Sequence, residues 1–440
     1  MAKTTSVYIC QQCGYQSPNF LGRCPECGTW NSLVEQVSIL SKARSVSKDH
    51  FSISDAIGKL TYLSDIEKKY YDRLSTKIGE FDRVLGGGIV LGSLILVAGD
   101  PGIGKSTLLS QLALNIDKSL YVAGEESAQQ IKHRVERLKK GANLAILNEV
   151  DVDVIGGVIE TVKPPLVIID SIQTLQTDEL ESVAGSVGQV RESTHRLQRL
   201  AKKIHTPIFL VGHVTKEGTV AGPKTLEHLV DVVLSLEGDP TSQFRILRAS
   251  KNRFGPTDEV GIFDMSESGM VEVKNPSKVF LDQKIDAPGS AVLATINGLR
   301  PILLEIQALV TKSNLAVPRR VSTGVDINRL QLLVAVLQKR LGLPLYSADI
   351  FVNVTGGIRV SEPAADLGIC MAIISSFQDQ ILDAKTVFIG EVGLLGELRT
   401  VRNLEKRVTE AKKLGYINVI SSENAKSLNE IIKRLKINPS

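Results

Sequence analysis

Nine consecutive residues from Gly99 to Thr107 read GDPGIGKST and satisfy the spacing G-x-x-x-x-G-K-[ST]. Glycines at this spacing let a backbone wrap a polyphosphate with its amides turned inward, and a helix starting near Lys105 adds the positive end of its dipole. Gly99, Asp100, Pro101, Gly102, Ile103 and Gly104 then form the cradle, and Lys105 reaches the β- and γ-phosphates. Ser106 places its hydroxyl on Mg2+, with Thr107 one position further into the helix. The predicted chemistry is binding of ATP with Mg2+.

Hydrolysis needs two further groups, one to orient the metal and one to position water. PPLVIIDS ends an apolar run in Asp170, the expected metal-orienting acid at the carboxyl end of a strand adjacent to that of the phosphate loop. LYVAGEES ends another run in Glu125 and Glu126. Glu125 is chosen to accept the proton of the attacking water, and Glu126 reads as an acid at a helix N-terminus. FLVGHV ends a fourth run in His213, either a structural residue or a sensor beside the Gly-rich segment TKEGTVAGPKT, which carries Lys216 and Lys224. In KNRFGP, after the last strand of this region, Lys251 and Arg253 flank one Asn. Two readings stand: cations that reach a neighbouring subunit's γ-phosphate, and an exposed basic turn.

A different chemistry sits at the N-terminus. Cys10, Cys13, Cys24 and Cys27 give C-x2-C-x10-C-x2-C, with Gly14 and Gly28 directly after each pair. Cysteines two residues apart turn both sulfurs toward one ion, and glycine eases the tight knuckle, so four soft ligands imply tetrahedral Zn2+. Four of the five cysteines are spent here, which excludes a disulfide scaffold, and Cys370 within GICMAIISS reads as core.

The elements that must position these groups follow from apolar periodicity. SLILVAG, SLYVAG, PPLVIIDS and PIFLVGH are short buried-strand patterns, separated by the helical stretches KSTLLSQLALNI, QQIKHRVERLKK and QVRESTHRLQRLAKKI. Strand and helix in alternation predict an α/β fold with a parallel sheet covered on both faces. VDVVLSLE (230–237) and FRILRAS (244–250) have no helix between them and predict a hairpin at one edge, turning at 238–240. The expected divisions are a zinc ribbon at 1–34, a linker at 35–60, a nucleotide-binding core at 61–275, a connection at 276–285 and a second α/β segment at 286–440. Its clearest helices are expected near 329–341, 364–376 and 404–414. A net charge of +4 on 440 residues permits a nucleic-acid partner without arguing for one. No apolar run approaches the ~18 residues of a membrane span, and the expected location is cytoplasmic.

The cysteine ribbon, the stretch STKIGEFDRVLGGGIVLGSLILVAGDPGIGKSTLL, GEES and KNRFG together resemble the RadA/Sms family of bacterial recombination and repair proteins. That resemblance implies a RecA-like ATPase in hexameric rings that binds single-stranded and branched DNA and drives branch migration or helicase-like unwinding alongside a recombinase or other replication and repair proteins. It implies that Lys251 and Arg253 act at the nucleotide between subunits and that 178–189 and 215–224 are DNA-facing loops. Residues 286–425 look like the proteolytic domain of Lon proteases, which uses a Ser nucleophile and a Lys base. Ala364 stands where that serine is expected, and Glu405, next to Lys406, where the lysine is expected. The segment therefore reads as a proteolytically inactive scaffold, with Arg319, Arg320, Arg329, Lys339 and Arg340 as candidate DNA-contacting cations. The alternatives are an ATP-dependent Lon-like protease and a ring-forming scaffold ATPase without DNA activity.

Overall fold

The computed structural model describes residues 5–17, 19, 21–30, 32–38, 72–213, 223–238 and 243–436. Packing divides the chain into two compact units, one formed by residues 1–77, 87–101 and 105–234, the other by 78–86, 102–104 and 235–440.

In the first unit the N-terminal strands β1 (Thr5–Cys10), β2 (Gln16–Ser17) and β3 (Leu33–Ser38) form a small antiparallel sheet in the order β2-β1-β3. The third strand carries the ribbon past residue 34, and the expected linker beyond Ser38 lies outside the described residues until 72. A short pair, β4 (Arg73–Leu74) and β5 (Ile89–Val90), follows. The main strands are β6 (Leu94–Gly99), β7 (Leu120–Ala123), β8 (Ala145–Leu147), β9 (Val167–Asp170), β10 (Ile208–His213) and β11 (Val232–Glu237). Their order is β11-β6-β10-β9-β7-β8, and β6, β10, β9, β7 and β8 run parallel. Every residue of β6, β7 and β9 is buried, as expected for strands covered on both faces by helices.

The helices start where the sequence supplies caps. Ser127 and Gln130 form a reciprocal capping box on Ala128–Leu138, Asp151 caps Val152–Val162, and Ser186 caps Val187–Ile204. Each cap is worth about 1 kcal/mol. A left-handed residue ends the latter two helices, Lys163 and His205 respectively.

In the second unit β12 (Phe244–Asn252), β13 (Val260–Ser266) and β14 (Gly269–Glu272) form an antiparallel meander beside the end of β11. The expected hairpin is thus followed by two more strands, so β14 is the edge and KNRFGP does not follow the last strand. The turn residues Asp239 and Pro240 lie outside the described residues. The helix Gly79–Leu85 packs on this meander. Glu80, 2% exposed, accepts from the Ile262 amide at 3.0 Å and from Arg300 at 2.6 Å. The segment read as a connection, 276–285, holds the helix Pro276–Leu281, capped by Asn275 and anchored where Phe280 meets Phe244 edge to face.

A second sheet follows: β15 (Ser290–Asn297), β16 (Arg300–Lys312), β17 (Arg320–Thr323), β18 (Ala348–Val354), β19 (Thr386–Phe388) and, after the short pair β20 (Glu391–Val392) and β21 (Leu398–Arg399), β22 (Asn418–Ile420). The order is β17-β18-β16-β15-β19-β22. The helix Asp366–Gln378 is buried from Asp366 through Ser375, apolar on all sides, and is the centre of this core. Cys370 is wholly buried within it, as expected. The helices Ile327–Leu341 and Leu404–Lys413 lie close to their expected bounds.

Candidate functional site

The phosphate loop joins β6 to the helix Lys105–Asn115, as its sequence context predicted. Gly102 and Gly104 hold φ of 76° and 110°, which side-chain-bearing residues rarely adopt. A Cβ on Gly104 would stand 2.2 Å from the Met270 methyl and 2.6 Å from that of Met265, and the buried Arg245 donates to the Ile103 carbonyl at 3.2 Å. These three side chains brace the loop from β12, β13 and β14, and no local motif announced them. Lys105 is 4% exposed and donates to the carbonyls of Gly99 (2.8 Å) and Asp100 (3.0 Å). Burial pushes its ammonium below the ordinary lysine range, against the opposing charges of Asp170, Asp100 and Glu125. Ser106 and Thr107 fall in the first turn of the helix, half-buried.

Asp170 ends β9, but that strand is not adjacent to β6. β10 lies between them, with His213 in register with Gly99. Strand order in a parallel sheet does not follow chain order, so the sequence placed the acid at the right edge and on the wrong neighbour. The His213 backbone thus ends beside the first residue of the phosphate loop, and Lys216 with the rest of 214–222 lies outside the described residues. Ala123 is in register with Asp170, which brings the GEES turn alongside it. The Gly124 amide donates to the Asp170 carbonyl at 2.8 Å. A Cβ at Gly124 would meet Thr174 Oγ1 at 1.9 Å, so only glycine fits this approach. Glu125 accepts from the Ser171 hydroxyl at 2.5 Å.

Glu126 is not the helix-terminal acid expected of it. Ser127 is the cap, and Glu126 pairs instead with Arg134 at 2.5 Å. The two glutamates are thereby told apart: Glu125 faces the Asp170–Ser171 turn and Glu126 is held away by a cation.

Of the two expected DNA-facing loops, 178–189 is described. Gln189, 2% exposed, accepts from the Thr177 amide and donates to the carbonyls of Thr177, Leu180 and Ser182 at 2.9–3.1 Å, so one buried amide side chain shapes the whole turn. Val183 at its tip is 78% exposed. At KNRFG, Asn252 orders the turn by accepting from the Phe254 amide at 2.9 Å, and Lys251 and Arg253 flank it, Arg253 exposed.

In the second unit, Ala364 is 2% exposed. Beside it, Arg407, also 2% exposed, clasps both oxygens of Glu362 at 2.7 and 2.6 Å and donates to the Ala294 carbonyl at 2.7 Å. Glu405 lies in the first turn of the helix Leu404–Lys413, exposed. A buried methyl next to a closed ion pair offers neither nucleophile nor access. Two of the five candidate cations are spent on structure. Arg329 grips the buried Asp366 with two nitrogens, and Arg320 donates to the carbonyls of Arg319, Ala348 and Leu345. Arg340 is exposed and donates to the Leu394 carbonyl at 3.0 Å, while Arg319 and Lys339 are exposed. Their sequence neighbourhood is equally basic, so only the fold distinguishes them.

The ribbon is built from two like knuckles. The Gly14 amide donates to Cys10 O and the Gly28 amide to Cys24 O, both at 2.9 Å, with φ of 76° and 71° at the two glycines. The four sulfurs lie within 4.8 Å of one another, Cys10 to Cys27 at 3.6 Å and Cys13 to Cys24 at 3.4 Å. Tetrahedral Zn2+ with Zn–S of ~2.3 Å puts sulfurs about 3.8 Å apart, so the four cysteines fit the ion. Burial raises the Cys10 thiol, yet the Ser32 hydroxyl and the amides of Gln12 and Cys13 draw it down to about 6, whereas burial and the neighbouring sulfurs push the Cys13 thiol up to about 12, so the crowded sulfurs hold protons unequally until a cation compensates them. Among the described residues, no helix is long and apolar enough to cross a membrane.

Comparison with known proteins finds matches to three parts of the chain. A family described as "Rubredoxin metal binding domain" matches residues 8–35, "AAA domain" matches 66–219, and "Subunit ChlI of Mg-chelatase" matches 327–425. The DNA repair protein RadA of Bacillus subtilis (strain 168) is 49% identical over 427 residues, 96% of this chain and 93% of that protein. RadA of Halalkalibacterium halodurans is 50% identical and that of Listeria monocytogenes 47%, each over 96% of this chain and 93% of the relative. A crystal structure of the RadB recombinase aligns with 46% of this chain and all of its own, at 25% identity and a TM-score of 0.38. Near-half identity along almost the full length, over a phosphate loop, its paired acids and a four-cysteine ribbon, places the chain in the RadA family of DNA repair proteins, as an ATPase with a parallel-sheet nucleotide-binding core and a zinc ribbon.

Proposed function

We propose that this ATPase is a ring-shaped, helicase-like motor that binds single-stranded and branched DNA and promotes branch migration of recombination intermediates in the cytoplasm. The observation that carries the reading is the meeting of Lys105, Asp170 and Glu125 at one edge of the parallel sheet, near enough for both acids to act on the lysine's charge. In the proposed mechanism residues 99–107 cradle ATP, Lys105 neutralises the β- and γ-phosphates and Ser106 with Asp170 holds Mg2+. Glu125 takes the proton of the attacking water. His213, at the end of the strand beside the loop, reports the γ-phosphate to the segment that follows it.

Lys251 and Arg253 act on the nucleotide of a neighbouring protomer in a homo-hexamer, and a cation supplied in this way accelerates hydrolysis by ~10³ to 10⁵. The domain organisation proposed is a ribbon, a RecA-like core to about residue 275 and a Lon-like, non-proteolytic scaffold beyond 286. The relatives' name, DNA repair protein RadA, supports the DNA substrate, and partnership with recombination proteins is part of the same proposal.

Filter binding of single-stranded DNA at fixed salt, with and without ATP, tests the coupling. Nucleotide-dependent affinity that disappears in Lys105→Ala, together with DNA-stimulated hydrolysis, is the expected result. Hydrolysis that persists undiminished in Lys105→Ala, or DNA affinity indifferent to nucleotide, overturns it.

A further inference from the structure

Tyr121 is 0% exposed in the apolar strand β7, and a buried hydroxyl there requires partners. It has two. Register sets Tyr121 opposite Ile168 of β9, which puts Asp170 on the same face two residues along, within reach of a long side chain. The phenol oxygen lies 2.6 Å from Asp170 Oδ2, and Arg134 Nη2 lies 3.0 Å from the same phenol oxygen. A guanidinium only donates, so Arg134 occupies a lone pair of the phenol and the phenolic proton is directed to Asp170. Arg134 Nη1 in turn holds Glu126 Oε2 at 2.5 Å, and its guanidinium lies 5.8 Å above the Tyr121 ring.

A continuous chain of hydrogen bonds therefore runs from Glu126, whose side chain is 42% exposed, through Arg134 and Tyr121 to the carboxylate at the end of β9. Pinning one oxygen fixes the plane in which the other is presented.

We infer that Tyr121, backed by Arg134 and Glu126, is a positioning residue for Asp170 and sets the affinity of the nucleotide site for Mg2+. This rests on the ATP–Mg2+ reading above. The hydrogen bond ends on a charged group, a kind worth roughly ten-fold or more in an equilibrium constant. Tyr121→Phe removes the proton donor and keeps the ring.

The experiment measures DNA-stimulated ATP hydrolysis against Mg2+ concentration, and binding of a fluorescent ATP analogue in EDTA and in Mg2+, in the full-length protein. For Tyr121→Phe, half-maximal Mg2+ rises about ten-fold, metal-free nucleotide binding is unchanged, and activity recovers at high Mg2+. A merely structural role would lower binding in EDTA and in Mg2+ alike. Glu126→Gln, on the half-exposed end, is the second variant and shifts half-maximal Mg2+ in the same direction by about two- to three-fold. Arg134→Lys keeps the cation but does not span both partners, and falls between wild type and Arg134→Ala.

A wild-type Mg2+ curve for both Tyr121→Phe and Glu126→Gln overturns the positioning role while leaving the ATPase reading intact. Absence of hydrolysis in the wild type at any Mg2+ overturns the parent reading and the inference with it.

Discussion

Arg407→Ala is a demanding test of the second unit. Arg407 is 2% exposed and makes three hydrogen bonds of 2.6–2.7 Å, two to Glu362 and one to the Ala294 carbonyl, while Glu362 also accepts from the Ile296 amide at 2.6 Å. Truncation leaves a half-buried carboxylate without its cation and a buried carbonyl without its donor. Breaking a buried pair from one side costs about 3–5 kcal/mol. Some of the Glu362 charge rehydrates, since its side chain is 25% exposed, so the lower half of that range applies. For a unit of this size it corresponds to a melting point about 10 °C lower.

The pH dependence provides the sharper check. In the intact protein, burial pushes the Glu362 carboxyl up, but hydrogen bonds from Arg407 and Thr295 outweigh it and hold the group below its ordinary range. The resulting stability is fully present above the unfolded value near ~4.3 and is lost as pH falls through the folded value. Without Arg407 the same carboxyl, still buried and relieved only by the Thr295 and Ile296 hydrogen bonds, is expected to titrate above its unfolded value, so its penalty is greatest at neutral pH and fades as acid protonates it. Calorimetric melting of the two proteins from about pH 7.5 to about pH 5 therefore shows a gap that narrows on acidification. A gap of less than about 1 kcal/mol at neutral pH, or one of constant size throughout, refutes the reasoning.

Four further outcomes are expected. Glu125→Gln keeps nucleotide binding and slows hydrolysis by about 10²- to 10⁴-fold, measured by phosphate release. Gly104→Ala, forced into φ of 110° against Met270 and Met265, loses at least roughly ten-fold in nucleotide affinity by fluorescence titration. Cys24→Ser lowers zinc content toward zero by elemental analysis and removes the ribbon's own melting transition, because metal binding and folding of so small a module are one process. Ala364→Ser yields no cleavage of fluorogenic casein, since the new hydroxyl occupies a site 2% exposed.

What the sequence made legible was local. The phosphate loop, the knuckles at Gly14 and Gly28 and the strand-end position of Asp170 each follow from residues within about ten positions, and each was found where spacing put it. What escaped depended on neighbours distant in sequence. That β10 lies between β6 and β9 is a matter of sheet order, and Tyr121 reaches Asp170 only because the register of β7 against β9 aligns them. Arg329 looked like a surface cation because nothing near it in sequence announced Asp366, 37 residues away. The helix Pro276–Leu281 had a readable start, an Asn followed by Pro, but its six residues are too few for a period to show.

The pairing of Glu80 with the Ile262 amide and with Arg300 also bears on how the chain is made. These partners stand 182 and 220 residues downstream. At ~5–20 residues per second, a ribosome needs roughly 10 to 45 s to deliver Arg300 after Glu80 has appeared. Until β12 and β13 are delivered within that interval, the segment Gly79–Leu85 waits with Phe81, fully buried in the finished protein, lacking its cover. The nascent chain thus carries an early segment that only a late one can shelter, and a ribosome stalled before that point would release a polypeptide with an open apolar seam.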